Sequence, residues 1–201
     1  MKIWFISDTH NMHGDLQIPE VDCVIHCGDE ATRRNVSLNE LESRRFFKWY
    51  SALDIPIKIF VPGNHSTAIE KGLIIAIDYT AVKFLIHDQT EWNGLKIFGS
   101  PYTPEFFDWA YMRPRSELDI VWQSIPDDID ILITHGPPKG IFDVTGDIKT
   151  KKPVHVGSES LRKHVEERIK PKVHAFGHIH DKTTHLDSGI SQRGINFANK
   201  T

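Results

Sequence analysis

Apolar runs of five or six residues recur along the chain as KIWFIS, CVIHC, IKIFV, VKFLI, LKIFGS, DILITH and VHAFGH. Several are apolar continuously rather than alternately, the pattern of strands buried on both faces. Helical patterning falls between them. Ser37-Leu38-Asn39-Glu40 has the S-x-x-E form of a capping box, opening a helix with Phe46, Trp49, Tyr50 and Leu53 on one side. SESLRKHVEERI predicts a second helix that stops before Pro171. HDQTEWNGLKIFG reads as a hairpin turning at Asn93-Gly94, which makes part of the sheet antiparallel. Strands alternating with helices define an α/β layered domain. No solenoid-period repeat or low-complexity linker divides the chain, so residues 1–201 are expected to form a single domain.

Composition adds limits to this picture. The chain is 39% apolar and 25% charged, ordinary values for a globular protein. Its net charge of -3 argues against a general nucleic-acid or anionic-membrane surface, so no polymeric nucleic acid and no membrane is expected as a partner. No apolar run approaches the roughly 18 residues of a membrane span. MKIWFISDTH lacks the long apolar region of a signal peptide, and the expected compartment is cytoplasmic. In a strand rising about 3.3 Å per residue, Cys23 and Cys27 stand roughly 13 Å apart, too far for a disulfide. They are expected to be buried thiols packing the core.

The chemistry lies at the strand ends. WFISDTH delivers Asp8 and His10, VIHCGD delivers Asp29, and IFVPGNH delivers Asn64 and His65. ILITHGPP delivers His135, and HAFGHIH delivers His178 and His180. Open α/β sheets bind ligands at the carboxyl ends of their strands, where distant loops converge. Gly28, Gly63 and Gly177 each precede one of these residues, where the backbone must turn or approach closely. Carboxylate, imidazole and amide donors without thiolate suit Mn²⁺, Fe or Zn²⁺. So many donors exceed one ion's needs, which points to two ions with Asp29 as the bridge. Two divalent ions less two carboxylates leave about +2, enough for a bridging hydroxide and one phosphodiester anion. His65, beside Asn64 but not needed as a ligand, is placed to give a proton to the leaving oxygen.

These blocks, D-x-H, G-D, G-N-H, T-H-G and G-H-x-H in that order, resemble the calcineurin-like metallophosphoesterases. GSPYTPEFFDWAY, LITHGPPKGIFD and IKPKVHAFGHIH resemble more specifically the small metallophosphoesterase-domain-containing phosphodiesterases. The resemblance implies a four-layer sandwich of two mixed β-sheets flanked by α-helices, with metals at one edge. It implies that Asp8, His10, Asp29 and His180 hold one ion, and that Asp29, Asn64, His135 and His178 hold the other. Catalysis would rest on His65 and Asp29, with two divalent ions as cofactors (Mn, Fe, Zn or Ni, manganese favoured). The implied activity is hydrolysis of small phosphodiesters, 2′,3′- or 3′,5′-cyclic nucleotides leading. A metal-dependent phosphomonoesterase or protein phosphatase, and a weakly catalytic nucleotide-binding scaffold, are the alternatives; a homodimer is left open.

Two positions depart from the pattern. The third block usually ends in Glu or Asp, where this chain has Ser66; that acid is read as orienting the loop or a histidine rather than ligating. Restoring Glu at 66 is expected to change the rate by modest factors and to leave two metals bound. Glu30 stands where an apolar aromatic is common, and is read as facing solvent. Asn64, His65, Tyr102 and Arg113 are the candidate substrate contacts, the last two from the aromatic stretch YTPEFFDWAYMRPR. Its Phe106, Phe107 and Trp109 are expected chiefly to pack the connection onto the domain. His13 and His185 lie close to motifs and are read as loop surface or substrate contacts. His26 and His174 are read as core, and His87, His155 and His164 as surface.

Overall fold

A computed structural model describes residues 1–180 and the backbone of residues 196–199; His185 lies outside the described residues. Each predicted apolar run contains a strand. Strands β1 (Ile3–Ile6), β2 (Cys23–His26), β3 (Ile57–Phe60) and β4 (Lys83–Phe84) form one sheet in that order. All its pairs are parallel, with Ile3 opposite Cys23 and Cys23 opposite Ile57. The chain continues through β5 (Asp88–Trp92), β6 (Leu95–Ser100), β7 (Thr103–Pro104), β8 (Met112–Arg113), β9 (Ile131–Thr134), β10 (Val144–Gly146), β11 (Pro153–His155), β12 (Val173–Phe176) and β13 (Asn196–Asn199). The second sheet has the order β13-β12-β9-β6-β5, parallel except for the β5–β6 hairpin. Asn93 and Gly94 both have positive φ there, 52° and 75°, the geometry of a tight hairpin turn.

The two sheets pack face to face, which explains why the strands read as unbroken apolar runs. Along β2 and just beyond it, Cys23, Ile25 and Cys27 face the second sheet, meeting Ile97, Ile131, Ile133 and Ala175. Val24 points the other way into a cluster with Phe46, Phe47, Tyr50 and Phe60. In the second sheet, Ile131 and Ile133 face inward while Leu132 joins Leu118, Trp122, Leu161 and Phe176 outside. Helix, sheet, sheet and helix thus form four layers with three apolar seams. Each fully buried Phe contributes roughly 1.5–3 kcal/mol. Both cysteines are buried and free, and burial pushes the Cys23 thiol up to about 12.

Helix α1 (Val36–Ala52) covers the first sheet. Its cap is Asn35, whose side chain accepts the Leu38 N–H at 3.1 Å, so the helix starts before the capping box expected at Ser37. After α2 (Thr67–Glu70), helix α3 (Arg115–Gln123) covers the second sheet through Leu118 and Trp122. Helix α4 (Glu159–His164) is capped by Ser158 and runs into a π-helical turn, Val165–Ile169. Lys170, left-handed at φ 48°, ends it before Pro171. Helix α3 begins where the aromatic stretch ends, in a segment with no element predicted from the sequence.

Candidate metal centre

The carboxyl ends of β1, β2, β3, β9 and β12 deliver their polar residues to one edge, where the two sheets meet. The backbone there is unusual: Asp8, His10, Asp29 and His178 have φ of 51°, 42°, 60° and 75°. Such conformations cost non-glycine residues on the order of 1–3 kcal/mol each and persist only where surroundings impose them. Here the loops brace one another. Asp8 N–H donates to Gly28 O at 2.8 Å, His10 N–H to Asp29 O at 3.1 Å, and Gly177 N–H to His135 O at 2.9 Å. Gly28, at φ 113°, makes the turn into Asp29. A Cβ on Gly63 would strike Asp29 Oδ1, and one on Gly177 would strike Asp8 Oδ2, so both glycines let neighbouring loops close around the carboxylates.

Three groups of donors result: Asp8, His10 and His180; His10, Asp29 and His65; and Asp29, His135 and His178. Within each group the donor atoms lie within 4.8 Å of one another. Asn64 joins the third through Oδ1, 2.8 Å from His135 Nε2. All seven predicted ligands are therefore brought together, with Asp29 common to two groups and His65 beside them.

The proton positions on the histidines follow from their backbone partners. His10 Nδ1 meets Ala31 O at 3.0 Å, His135 Nδ1 meets Cys27 O at 2.9 Å, and His65 Nδ1 meets Thr32 O at 2.9 Å. A carbonyl accepts only, so each Nδ1 carries the proton and each Nε2 offers a lone pair to the centre. That is the arrangement a metal requires. It also leaves two conflicts in a centre without cations. His135 Nε2 faces the acceptor Asn64 Oδ1, and His10 Nε2 faces His180 Nε2 at 3.2 Å. Positive charge between these atoms resolves both. Asn64 Nδ2 is buried without a hydrogen-bond partner among the described residues, so the amide is oriented by its oxygen. The residues present fit a pair of divalent ions.

Without ions, protons supply the charge. Burial alone would lower His135, but the Asp29 carboxylate 3.3 Å from Nε2 raises it to about 9. Burial would likewise raise Asp29, yet His135 holds it below the usual carboxylate range. His180 is raised by its 2.9 Å hydrogen bond to Asp8. His178 is lowered to about 4 by burial and by His135, while its backbone N–H donates to both Asp8 oxygens at 3.1 and 2.9 Å.

Support behind the centre comes from two histidines correctly placed in the core by the sequence. His26 bonds Thr9 Oγ1 at 3.1 Å and accepts the Gly28 N–H at 3.2 Å; His174 bonds Thr134 Oγ1 at 2.8 Å. Burial lowers each to about 3. His13 is neither loop surface nor plainly in the centre: it is buried against Phe46 and Trp49. His87 is half-buried rather than surface, bonding Ser100 Oγ at 3.0 Å and Ser124 Oγ at 2.7 Å.

A pocket of about 200 Å³ opens beside Asn64 and His65, with Arg34, Lys71, Asp108 and Trp109 in its walls. Trp109 meets the His65 ring edge-on at 4.3 Å, and the Arg34 guanidinium lies 3.9 Å over the indole. Tyr102 and Arg113 are not among the walls of this pocket; Arg113 stacks on Tyr102 at 4.6 Å instead. Phe106 and Phe107 do not pack the connection down. They meet edge to face at 4.5 Å and remain 44% and 63% exposed. Trp109 alone of the three closes on the site.

Glu30 overturns its expected place in solvent: it is fully buried. Ser43 Oγ and Ser66 Oγ donate to its two oxygens, each at 2.6 Å. Burial raises its pKa, and the two hydroxyl donors oppose that rise. Asn39, another residue whose role the sequence hid, donates to His65 O at 2.6 Å and accepts the Ala68 N–H at 2.8 Å. A lone amide on a helix face carries no signal of a partner so far along the chain.

A four-layer α/β sandwich with paired donor groups at one edge defines the class of protein, and comparison with known proteins narrows it. A family model described as Calcineurin-like phosphoesterase matches residues 1–182, and the chain belongs to that family. It is 31% identical over 201 residues to "Metallophosphoesterase domain-containing protein 1" of Homo sapiens, a match covering 88% of this chain and 59% of that protein. It is 33% identical over 193 residues to "Probable rhamnogalacturonate lyase C" of Emericella nidulans, covering 90% of this chain and 17% of that one. The chain thus spans 59% of the human relative's length. Among solved structures, TT1561 of Thermus thermophilus has the same fold, with a TM-score of 0.60 at 14% identity, covering 98% of this chain and 88% of that one. The family is one of enzymes with a dinuclear divalent metal centre. No helix among the described residues is long and apolar enough to cross a membrane.

Proposed function

We propose that this chain hydrolyses small phosphodiesters, with 2′,3′- or 3′,5′-cyclic nucleotides as the leading class, at two divalent ions for which manganese is favoured. The observation that carries the reading is the sharing of Asp29 between two donor groups, one of which includes His65 on the wall of a small pocket. Bound there, divalent ions supply the positive charge that draws a phosphate anion and makes water a usable nucleophile near neutral pH. The protein's own part is to hold and orient. Asp8 and Asp29 offset only part of that charge, and Asn64 adds a ligand without adding a negative one. His65 serves the leaving oxygen through Nε2, because Nδ1–H is engaged by Thr32 O. Burial lowers the pKa of His65, so Nε2 acts as a proton donor only after gaining a second proton beside the anionic substrate. The pocket walls suit an organic arm attached to that phosphate: Trp109 offers an apolar face, and Arg34 and Lys71 offer cationic groups beside the carboxylates of Glu70 and Asp108.

The test compares metal-stripped and Mn²⁺-restored protein on an aryl phosphodiester, an aryl phosphomonoester and both cyclic-nucleotide isomers. Diester turnover that depends on Mn²⁺ and exceeds monoester turnover is expected. Equal rates with and without metal would sink the mechanism, and dominant monoester turnover would make the chain a phosphomonoesterase.

A further inference from the structure

Glu30 follows Asp29 directly, yet its side chain turns away from the centre into a fully buried position. There it joins three segments: the loop after β2, helix α1 and the turn after β3. Ser43 Oγ, from the middle of α1, donates to one oxygen at 2.6 Å. Ser66 Oγ donates to the other at 2.6 Å while accepting the Gly63 N–H at 2.9 Å. Gly63 and Ser66 are the two ends of the turn that carries Asn64 and His65. The turn is also held by His65 N–H on Asp29 Oδ1 at 2.7 Å and by Asn39 on His65 O. Both Glu30 oxygens and both serine hydroxyls have partners, as a buried network requires. The Glu30 carboxyl, at the hub, accepts from both hydroxyls.

We propose that Glu30 is a positioning residue for Asn64 and His65, taking over from position 30 the bracing that a carboxylate at position 66 would otherwise supply. Ser66 is the receiving half of this brace, and the two positions form one exchangeable pair. A glutamate at 66 beside the native Glu30 would place two carboxylates in one dry space, where both cannot ionise without repulsion. A larger loss than the modest change read from the sequence is therefore expected of an acid at 66.

The inference rests on the proposed metal-dependent diesterase, so its test reads metal binding as well as rate. Native protein, Glu30→Gln, Ser66→Ala, Ser66→Glu and the exchanged pair Glu30→Ser with Ser66→Glu are compared. Manganese affinity and stoichiometry, kcat and KM on an aryl phosphodiester, and thermal midpoint are measured for each. Glu30→Gln and Ser66→Ala should each lower Mn²⁺ affinity or kcat by about tenfold to a hundredfold, the range for groups that orient ligands, with KM little changed. Ser66→Glu should be the worst single variant, and the exchanged pair should regain at least about tenfold over it. Native-like metal affinity and kcat in Ser66→Glu, or an exchanged pair no better than Ser66→Glu, overturns the proposal. If neither of those folds, Glu30→Gln and Ser66→Ala decide it, and native values in both overturn it. Should native protein hydrolyse no diester, the functional reading fails while the Mn²⁺ affinities still test the brace.

Discussion

The two halves of the metal centre are built differently. Asp29, Asn64 and His135 lie under the meeting line of the sheets, at 2%, 2% and 0% exposure. Asp8 is also buried, but its partners are not: His10 is half-buried and His180 is exposed at the end of the described chain segment. The inner half is held by groups from both sheets, as in the His135 Nδ1 contact to Cys27 O. The outer half depends on two histidine side chains at the rim. Ions of equal chemistry would thus meet unequal sites, an inner one slow to exchange and an outer one open to solvent and chelator. Asp29 joins them and should obey neither rule alone.

The largest expected effect therefore comes from Asp29→Ala, which removes the common ligand. Both ions should be lost from protein passed through a desalting column, and turnover should fall by about a thousandfold or more, beyond the 10–100-fold typical of supporting groups. Retention of two manganese ions by this variant, measured by elemental analysis, would break the assignment of Asp29 as the bridge.

Next in size is the contrast between the halves. His180→Ala should lose one ion, with a rate drop of about ten- to a hundredfold that millimolar Mn²⁺ largely restores. His135→Ala should not be restored, because it opens a fully buried position between Asp29 and Asn64. Timed chelation of the native protein should show the same order, a fast phase for one ion and a slow phase for the other. A single phase for both would show that burial does not separate them.

Much of this was legible in the sequence for a physical reason. Residues that end buried strands inherit the position of the strand, so Asp8, Asp29, Asn64, His135 and His178 could be placed without knowing any contact. The sharp turns after those strands also leave traces, since Gly28, Gly63 and Gly177 are required by close approach. Partners that arrive from another element leave no such trace. Glu30 reads as solvated because its donors, Ser43 and Ser66, are 13 and 36 residues away. Trp109 and Phe107 are both aromatic in one stretch, yet only the first meets His65. Helix α3 did carry a signal, Leu118 and Trp122 four apart, masked by the aromatic stretch before it.

Acid tests the supports behind the two halves. His26 braces Thr9 and Gly28, and His174 braces Thr134; both have folded pKa values lowered to about 3 by burial, against 6.5 when free. The unfolded chain therefore binds more protons between those values, and stability rises with pH through that window. The contribution of these two histidines should be complete above about pH 6.5 and be lost steadily as pH drops toward 3, by up to roughly 5 kcal/mol for each. Thermal midpoints of the metal-free protein from pH 7 to pH 4 measure this. His174→Gln should flatten part of the slope, and an unchanged slope would mean that His174 is not held neutral.

The smallest expected effect sharpens the outer half specifically. His65 lies 5.0 Å from His10 and 4.3 Å from Trp109, so the indole walls the outer side of His65, the proposed proton donor, without touching the inner ligands. The exposed Arg34 guanidinium stacked on it is worth about 0.5–1 kcal/mol. Trp109→Ala should release both groups, raising KM for a diester about twofold to fivefold by that range while kcat falls less. Manganese stoichiometry should stay at two, because no ligand contacts the indole except through His65. A variant that lost the outer ion would show Trp109 holding the centre itself, and one with unchanged KM would show that the substrate arm lies elsewhere.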